Sequence, residues 1–310
     1  MKSLEALDNR KSFFRFFRSN YGLYLMLIPA FVYYIIFHYI PMFGLVISFQ
    51  DYNIFQGILK SPFNNFDNFK ELLAHPYFWD TIKNTLLLNV LNLVFTFPAP
   101  IILALALNEL RSQSLKRITQ SVLYMPYFMS WIILAGIMIN ALSPQYGIVN
   151  VLLRSMGLEE IYFMADSNWW IVMYVFSSIW QSAGWGSIIY MAALTGIDPA
   201  LYEAAMISGA GRFRQMLHIT LPGLMPTIVM MFILKMGSIV SIGYEQPMAL
   251  YNSIVSDVSR VISIFIYQVG IEQGRFAITT AMGFIQSVIN LLMIVSANYL
   301  SRKFTEQSIY

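Results

Sequence analysis

Apolar residues in this chain run in long stretches, and the polar ones gather between them. Six windows, at roughly 21–48, 84–107, 118–142, 168–194, 222–244 and 276–300, each reach the length a helix needs to cross a bilayer, about 20 largely uncharged residues. Lys235 is the only Lys, Arg, Asp or Glu inside any of them. The prolines at 29, 41, 98, 100, 126 and 226 would break helices in water but are tolerated in membrane spans, where neighbouring groups satisfy the freed carbonyls. The pattern predicts an all-α membrane protein with six transmembrane helices.

Composition agrees, since 57% hydrophobic and 11% charged residues is more apolar surface than a soluble chain of this length could bury. The absence of cysteine removes disulfides, thiolate metal sites and cysteine nucleophiles. A net charge of +3, with no basic cluster on a soluble domain, gives no footprint for nucleic acid. Residues 1–20 hold Lys2, Arg10, Lys11, Arg15 and Arg18 beside Phe13, Phe14, Phe16 and Phe17, a basic aromatic arm suited to an anionic membrane face. The run from Tyr21 to Ser48 is too long for a signal peptide and lacks a small-residue cleavage site, so it reads as a retained span.

Lys and Arg number twelve in one set of alternate loops and termini and six in the other, which predicts a multi-pass protein of the cell membrane with both termini cytoplasmic. The division is then a cytoplasmic arm over 1–20, a membrane domain over 21–300 and a cytoplasmic tail over 301–310. The outer loops are too short for independent domains. In the first of them, Phe66, Phe69, Leu72 and Leu73 predict an amphipathic helix along the outer surface.

Between the fourth and fifth windows lies a polar interruption over 195–222. Asp198 and Pro199 suit the N-cap and first position of a short helix. Gly209 suits the left-handed residue past its end, and Gly211 allows a second turn before another short helix over Arg212–His218. The result is an elbow about 199–218. Ala204 and Ala205 give its first arm a face of small side chains fit for another protein's groove, with Glu203 beside them.

Glu203, Ala204, Ala205, three residues, Gly209, nine residues, Ile219, one residue, Leu221 and Pro222 resembles, without a gap, the EAA loop of binding-protein-dependent ABC import permeases. NFDNFKELL with Asn84 and Thr85, QYGIVNVLL with Gly157, and GYEQPMALYN resemble the carbohydrate-uptake, maltose-type class, in particular its oligosaccharide branch in Gram-positive bacteria. The resemblance implies a type I importer permease whose elbow is a coupling helix docked into a cytosolic ATPase. It implies two ATPase subunits, which carry the ATP and Mg, a second and non-identical permease, and an extracellular binding protein that delivers the sugar. Glu203 is then expected to meet a basic or hydrogen-bonding group of the ATPase. The alternatives are an ABC permease for another small solute, or a non-transport integral membrane protein.

Other chemistries find no residues. No G-x-x-x-x-G-K-[ST] occurs, Gly209-Ala-Gly211 lacks a third glycine at 214, and neither G-x-S-x-G nor H-E-x-x-H is present. His38, His75 and His218 fall in separate segments without metal-ligand spacing, so neither a metal nor a cofactor is expected on this chain.

A sugar path needs amides and hydroxyls with an aromatic plate. On the fourth window Ser178, Gln181, Ser182 and Trp185 recur at one helical face. On the fifth, the matching face is Lys235, Ser238, Ile239 and Ile242, and the resemblance places the sugar-contacting positions of maltose-type importers on these two faces. Small polar residues also glue membrane helices together, which is the competing reading of each position. An ammonium near mid-membrane costs from about 2.5 kcal/mol upward, so Lys235 must face a partner or a wet cavity. The expectation is that it meets the carboxylate of an acidic oligosaccharide, such as one from pectin or alginate, against a structural ion pair with a partner permease. Asn84, Asn89, Asn92, Asn140, Gln286, Asn290 and Asn298 are expected to bond between helices, with Gln286 and Asn290 as outside candidates for the path.

Overall fold

The computed structural model describes residues 20–305, so most of the expected basic arm and residues 306–310 of the tail lie outside the described residues. The fold is all-helical, and among the described residues the only extended pairing is a single bridge between Gln50 and Phe63. In chain order the helices are α1 (Tyr21–Phe49), α2 (Asp67–Ala74), α3 (Phe78–Asn108), α4 (Gln113–Phe128), α5 (Trp131–Ala141) and α6 (Ile148–Ser155). After them come α7 (Ser167–Leu194), α8 (Pro199–Ile207), α9 (Arg212–Met236), α10 (Glu245–Leu250), α11 (Ile262–Glu272) and α12 (Phe276–Thr305).

Among the described residues four straight rods, α1, α3, α9 and the 276–296 part of α12, are long and apolar enough to cross a membrane. The third expected window is no straight rod: α4 and α5 meet at 104°, and counting that bent pair as one crossing makes five. The bend has a local cause. Pro126 tightens the end of α4, Met129 and Ser130 turn extended, and the Ser130 hydroxyl accepts the Ile133 N–H to start α5 afresh. The fourth window, α7, has the length at 28 residues, but its serines and Gln181 make it less apolar than those rods.

Three prolines leave a common mark on the rods. The residue before Pro41, Pro98 and Pro222 donates its N–H five positions back, Ile40 to Ile35, Phe97 to Asn92 and Leu221 to Met216. A proline ring collides with the carbonyl four residues behind it, and a wider π-turn moves that carbonyl aside without breaking the rod. The same device overturns one sequence expectation. Arg212–His218 is no separate short helix, because the π-turn at Met216–Thr220 carries it straight into the helix of the fifth window as one 25-residue rod.

The helix of the fifth window also ends early, at Met236, where the apolar window runs on to 244. The last helix runs past its window, since residues 301–305 continue it.

The packed core centres on α7, whose Trp170, Tyr174 and Tyr190 are buried. Around Trp170 and Tyr174 pack Leu88, Leu250 and Ile264, and around Tyr190 pack Ile101, Ala104 and Leu224. At Gly184 the backbone of α4 passes so close that a Cβ would sit 1.9 Å from the Leu123 carbonyl oxygen, so only glycine permits this crossing. By contrast, nearly all of residues 21–43 of α1 are exposed, and its far end rests on α12 through Phe49 and Phe284.

Buried asparagines fix three of the loops, each satisfying backbone groups that would otherwise be stranded. Asn68 on α2 donates to the Ser48 and Gln50 carbonyls at 2.9 and 2.8 Å. Asn84 on α3 reaches the Asp257 and Arg260 carbonyls at 2.7 and 3.1 Å. Asn150 on α6 closes onto the end of α5 through the Leu142 and Ser143 carbonyls, at 3.1 and 3.2 Å.

Candidate functional site

Two places gather the residues singled out by the sequence: the elbow and a cavity among the spans. In the elbow, Asp198 accepts the Ala200 N–H at 2.9 Å and so caps α8, with Pro199 in its first turn. Gly209 ends the helix at φ +76°. Its N–H meets the Met206 carbonyl at 3.0 Å, and the Ala210 N–H meets that of Ala205 at 2.9 Å, the paired bonds of a Schellman ending. The Tyr202 hydroxyl lies 3.0 Å from Thr220 Oγ1 and clips α8 against the start of α9. Glu203 and Ala204 are exposed and Ala205 is half-buried; Ile207 and Phe213, 89% and 70% exposed, make the elbow's outward face apolar. Ile219 and Leu221 are half-buried and Pro222 exposed where α9 enters the span. An exposed ion pair at 3.5 Å, Arg212 to Glu109, ties the elbow to the end of α3.

The cavity, about 180 Å³, brings together segments from the whole chain. Asn89, Asn92 and Thr96 come from α3, Trp131 from α5, and Tyr174, Ser178, Gln181 and Ser182 from α7. Lys235 in the last turn of α9, residues 241–243 and Gln246 of α10 close it. Of the six residues expected along a path, Ser178, Gln181, Ser182 and Lys235 therefore share one wall. Trp185 does not, because it stacks on Tyr127 with ring centroids 4.8 Å apart and meets Phe128 edge-on. Ser238 does not either. It lies past the end of α9, and its hydroxyl bonds the Lys235 carbonyl at 3.1 Å.

The helical face expected at Lys235, Ser238, Ile239 and Ile242 is thus absent. Beyond Met236 the chain turns, burying Ile239 in the core and leaving Ile242 on the cavity wall. Among the described residues no carboxylate pairs with the Lys235 ammonium. Gln246 Nε2 lies 2.8 Å from Ser178 Oγ and 2.9 Å from the Tyr174 carbonyl, which locks α10 onto α7. The Tyr174 hydroxyl, though buried, has no hydrogen-bond partner among the described residues. A buried hydroxyl left so is costly, while the amides and hydroxyls that line the cavity suit a sugar.

Several of these groups were missed from the sequence. Asn89, Asn92 and Thr96 stand at i, i+3 and i+7, a polar face readable in the second window. The expectation that Asn89, Asn92 and Asn140 bond between helices is wrong, since Asn89 donates to the Thr85 carbonyl, Asn92 accepts from Thr96 and Asn140 donates to the Gly136 carbonyl, each within four residues. Each bends back to its own helix, a local bond always within reach. Asn84, Gln286 and Asn290 do join distant segments. Gln246 carried no signal, because only the fold brings it beside Ser178.

Residues 96–306 match the family described as binding-protein-dependent transport system inner membrane component. Protein LplB of Bacillus subtilis (strain 168) is 42% identical over 288 residues, which cover 93% of this chain and 91% of that protein. The polygalacturonan/rhamnogalacturonan transport system permease protein YteP of the same organism is also 42% identical over 288 residues, with 93% and 90% covered. Among solved structures, a chain of a bacterial ABC transporter involved in the import of the acidic polysaccharide alginate matches with a TM-score of 0.87 at 37% identity, over 95% of this chain and 99% of that one. The same figures hold for a bacterial alginate ABC transporter in complex with an alginate pentasaccharide-bound periplasmic protein.

Proposed function

The chain belongs to the inner membrane components of binding-protein-dependent transport systems, and from that premise we propose that it is a permease subunit of an ATP-driven importer for carboxylate-bearing oligosaccharides. It is a transport subunit of a multi-pass membrane assembly, with the fold of a type I ABC importer permease. The observation that carries the acidic cargo is Lys235, a cation at a cavity wall of amides and hydroxyls with no carboxylate beside it among the described residues. A charge at that depth calls for a counter-charge, and a uronate supplies one. The named cargoes of the relatives point the same way, since alginate is acidic and polygalacturonan is a polymer of a uronic acid.

In this reading the chain crosses the membrane six times with both termini in the cytoplasm. An extracellular binding protein delivers the sugar. Two ATPase subunits, which hold ATP and Mg, receive the elbow of this chain and that of a second, non-identical permease. Glu203, Ala204, Ala205 and Gly209 form the docking arm, and Ile219, Leu221 and Pro222 join it to the fifth span. Closure of the ATPase pair draws the elbows together, and the spans rock between outward and inward access around the cavity. Ser178, Gln181 and Ser182 then bond the sugar's hydroxyls while Lys235 takes its carboxylate.

The test uses the whole importer reconstituted in vesicles, with a uronate oligosaccharide and its methyl ester as cargoes. Lys235→Gln is expected to lower uptake of the free acid about tenfold or more and that of the ester by less than about twofold, the weight of one charge-assisted contact. Equal loss of both would assign Lys235 to an ion pair within the assembly.

A further inference from the structure

Lys235 owes its place to a break in the fifth span, and two side chains of α12 sustain that break. Past Met236 the backbone bonds itself in tight turns, with the Ser238 N–H on the Lys235 carbonyl at 3.1 Å and the Ile239 N–H on that of Met236 at 3.2 Å. At Val240 a distant side chain takes over. That residue is 1% exposed, its N–H donates to Asn290 Oδ1 at 3.1 Å, and its carbonyl accepts from Gln286 Nε2 at 2.8 Å. Both amides also reach the Ser241 hydroxyl, Asn290 Nδ2 at 2.7 Å and Gln286 Nε2 at 3.2 Å.

Gln286 and Asn290 stand four apart on one face of α12, so one helix presents both groups to the backbone of one residue. Irregular backbone at membrane depth survives only where such partners satisfy it. Without them the cheapest way to pair the Val240 N–H is to rewind 237–243 into helix, onto the Met236 carbonyl. Rewinding would have two effects. Residues 241–243 and Gln246 would leave the cavity wall, and Lys235 would become mid-helical. In the broken form Lys235 lies in the last turn of α9, where the partial negative charge of a helix C-terminus favours a cation.

We infer that Gln286 and Asn290 are positioning residues for cargo selection: by holding the break at Val240–Ser241 they keep the α9 terminus beside Lys235 and so set the importer's preference for a carboxylate. This rests on the reading of Lys235 as the cargo's counter-charge. Neither amide lines the cavity, so their action passes through the backbone they hold.

The experiment is a mutant cycle in the complete importer, with the free acid and its methyl ester as cargoes. Asn290→Ala is expected to lower uptake of the acid roughly tenfold and that of the ester by less than about twofold, and to add less than about twofold to either in the Lys235→Gln background. Equal loss of both cargoes, or the same loss with Lys235 absent, overturns the inference and leaves the amides as helix glue. Failure of the cargo reading itself has a different signature: Lys235→Gln alone then leaves the preference for the acid intact. Gln286→Ala guards against a folding defect, because Gln286 stands outside the cavity lining and its loss leaves the Val240 N–H on Asn290. About a threefold loss for the acid is expected from it, and no loss of preference in either variant overturns the inference.

Discussion

The chain breaks a helix on purpose twice within forty residues, and the two breaks are made differently. At the elbow every bond that ends α8 is local: Gly209 supplies the positive φ, and the freed carbonyls of Ala205 and Met206 are met by the next residues. At the end of α9 the local bonds stop short, and Val240 is satisfied by Asn290 and Gln286, fifty and forty-six positions away. The first break faces water, which forgives an unmet group; the second lies among membrane helices, which do not. A turn in solvent can be written into a few residues, whereas a turn inside a membrane needs partners from another span.

The contrast predicts a graded set of costs. Replacing Gln286 and Asn290 together by leucine strands both groups of Val240, and should cost about 2–6 kcal/mol, seen as a lowered thermal midpoint of the purified assembly in detergent. A midpoint unchanged from wild type would show that the break stands without its clamp. Gly209→Val forces a β-branched residue to positive φ and should cost about 1–3 kcal/mol. Its main readout is elsewhere: ATPase retained on affinity purification should fall severalfold, while the leucine pair keeps it. Asp198→Ala removes one cap of α8 in solvent and should cost about 1 kcal/mol, the smallest shift of the three. A larger loss there than at the clamp would invert the comparison.

Legibility followed the same line. The elbow was readable because Asp198, Pro199, Gly209 and the residues between act on one another at short range, and only its second arm was misjudged, since the π-turn before Pro222 lets Arg212–Met236 run on as one rod. The cavity was half readable. Ser178, Gln181 and Ser182 announce themselves as a helical face, and Lys235 as the one charge in an apolar window. Trp185 fits that face equally well on paper, yet the bend between α4 and α5 puts Tyr127 against it. Gln246 looks like any loop amide until α10 folds back onto α7.

By itself, the sequence determined that this is a helical membrane protein, where its apolar segments lie and where its elbow turns, because hydropathy, capping and glycine conformation each act along one continuous stretch of chain. Only the tertiary structure decided that the helix of the fifth window stops at Met236, that the third window is bent, and which polar side chains share a cavity with Lys235. Those outcomes depend on which distant group satisfies a given N–H or carbonyl in a medium without water, and separation along the chain carries no record of that choice.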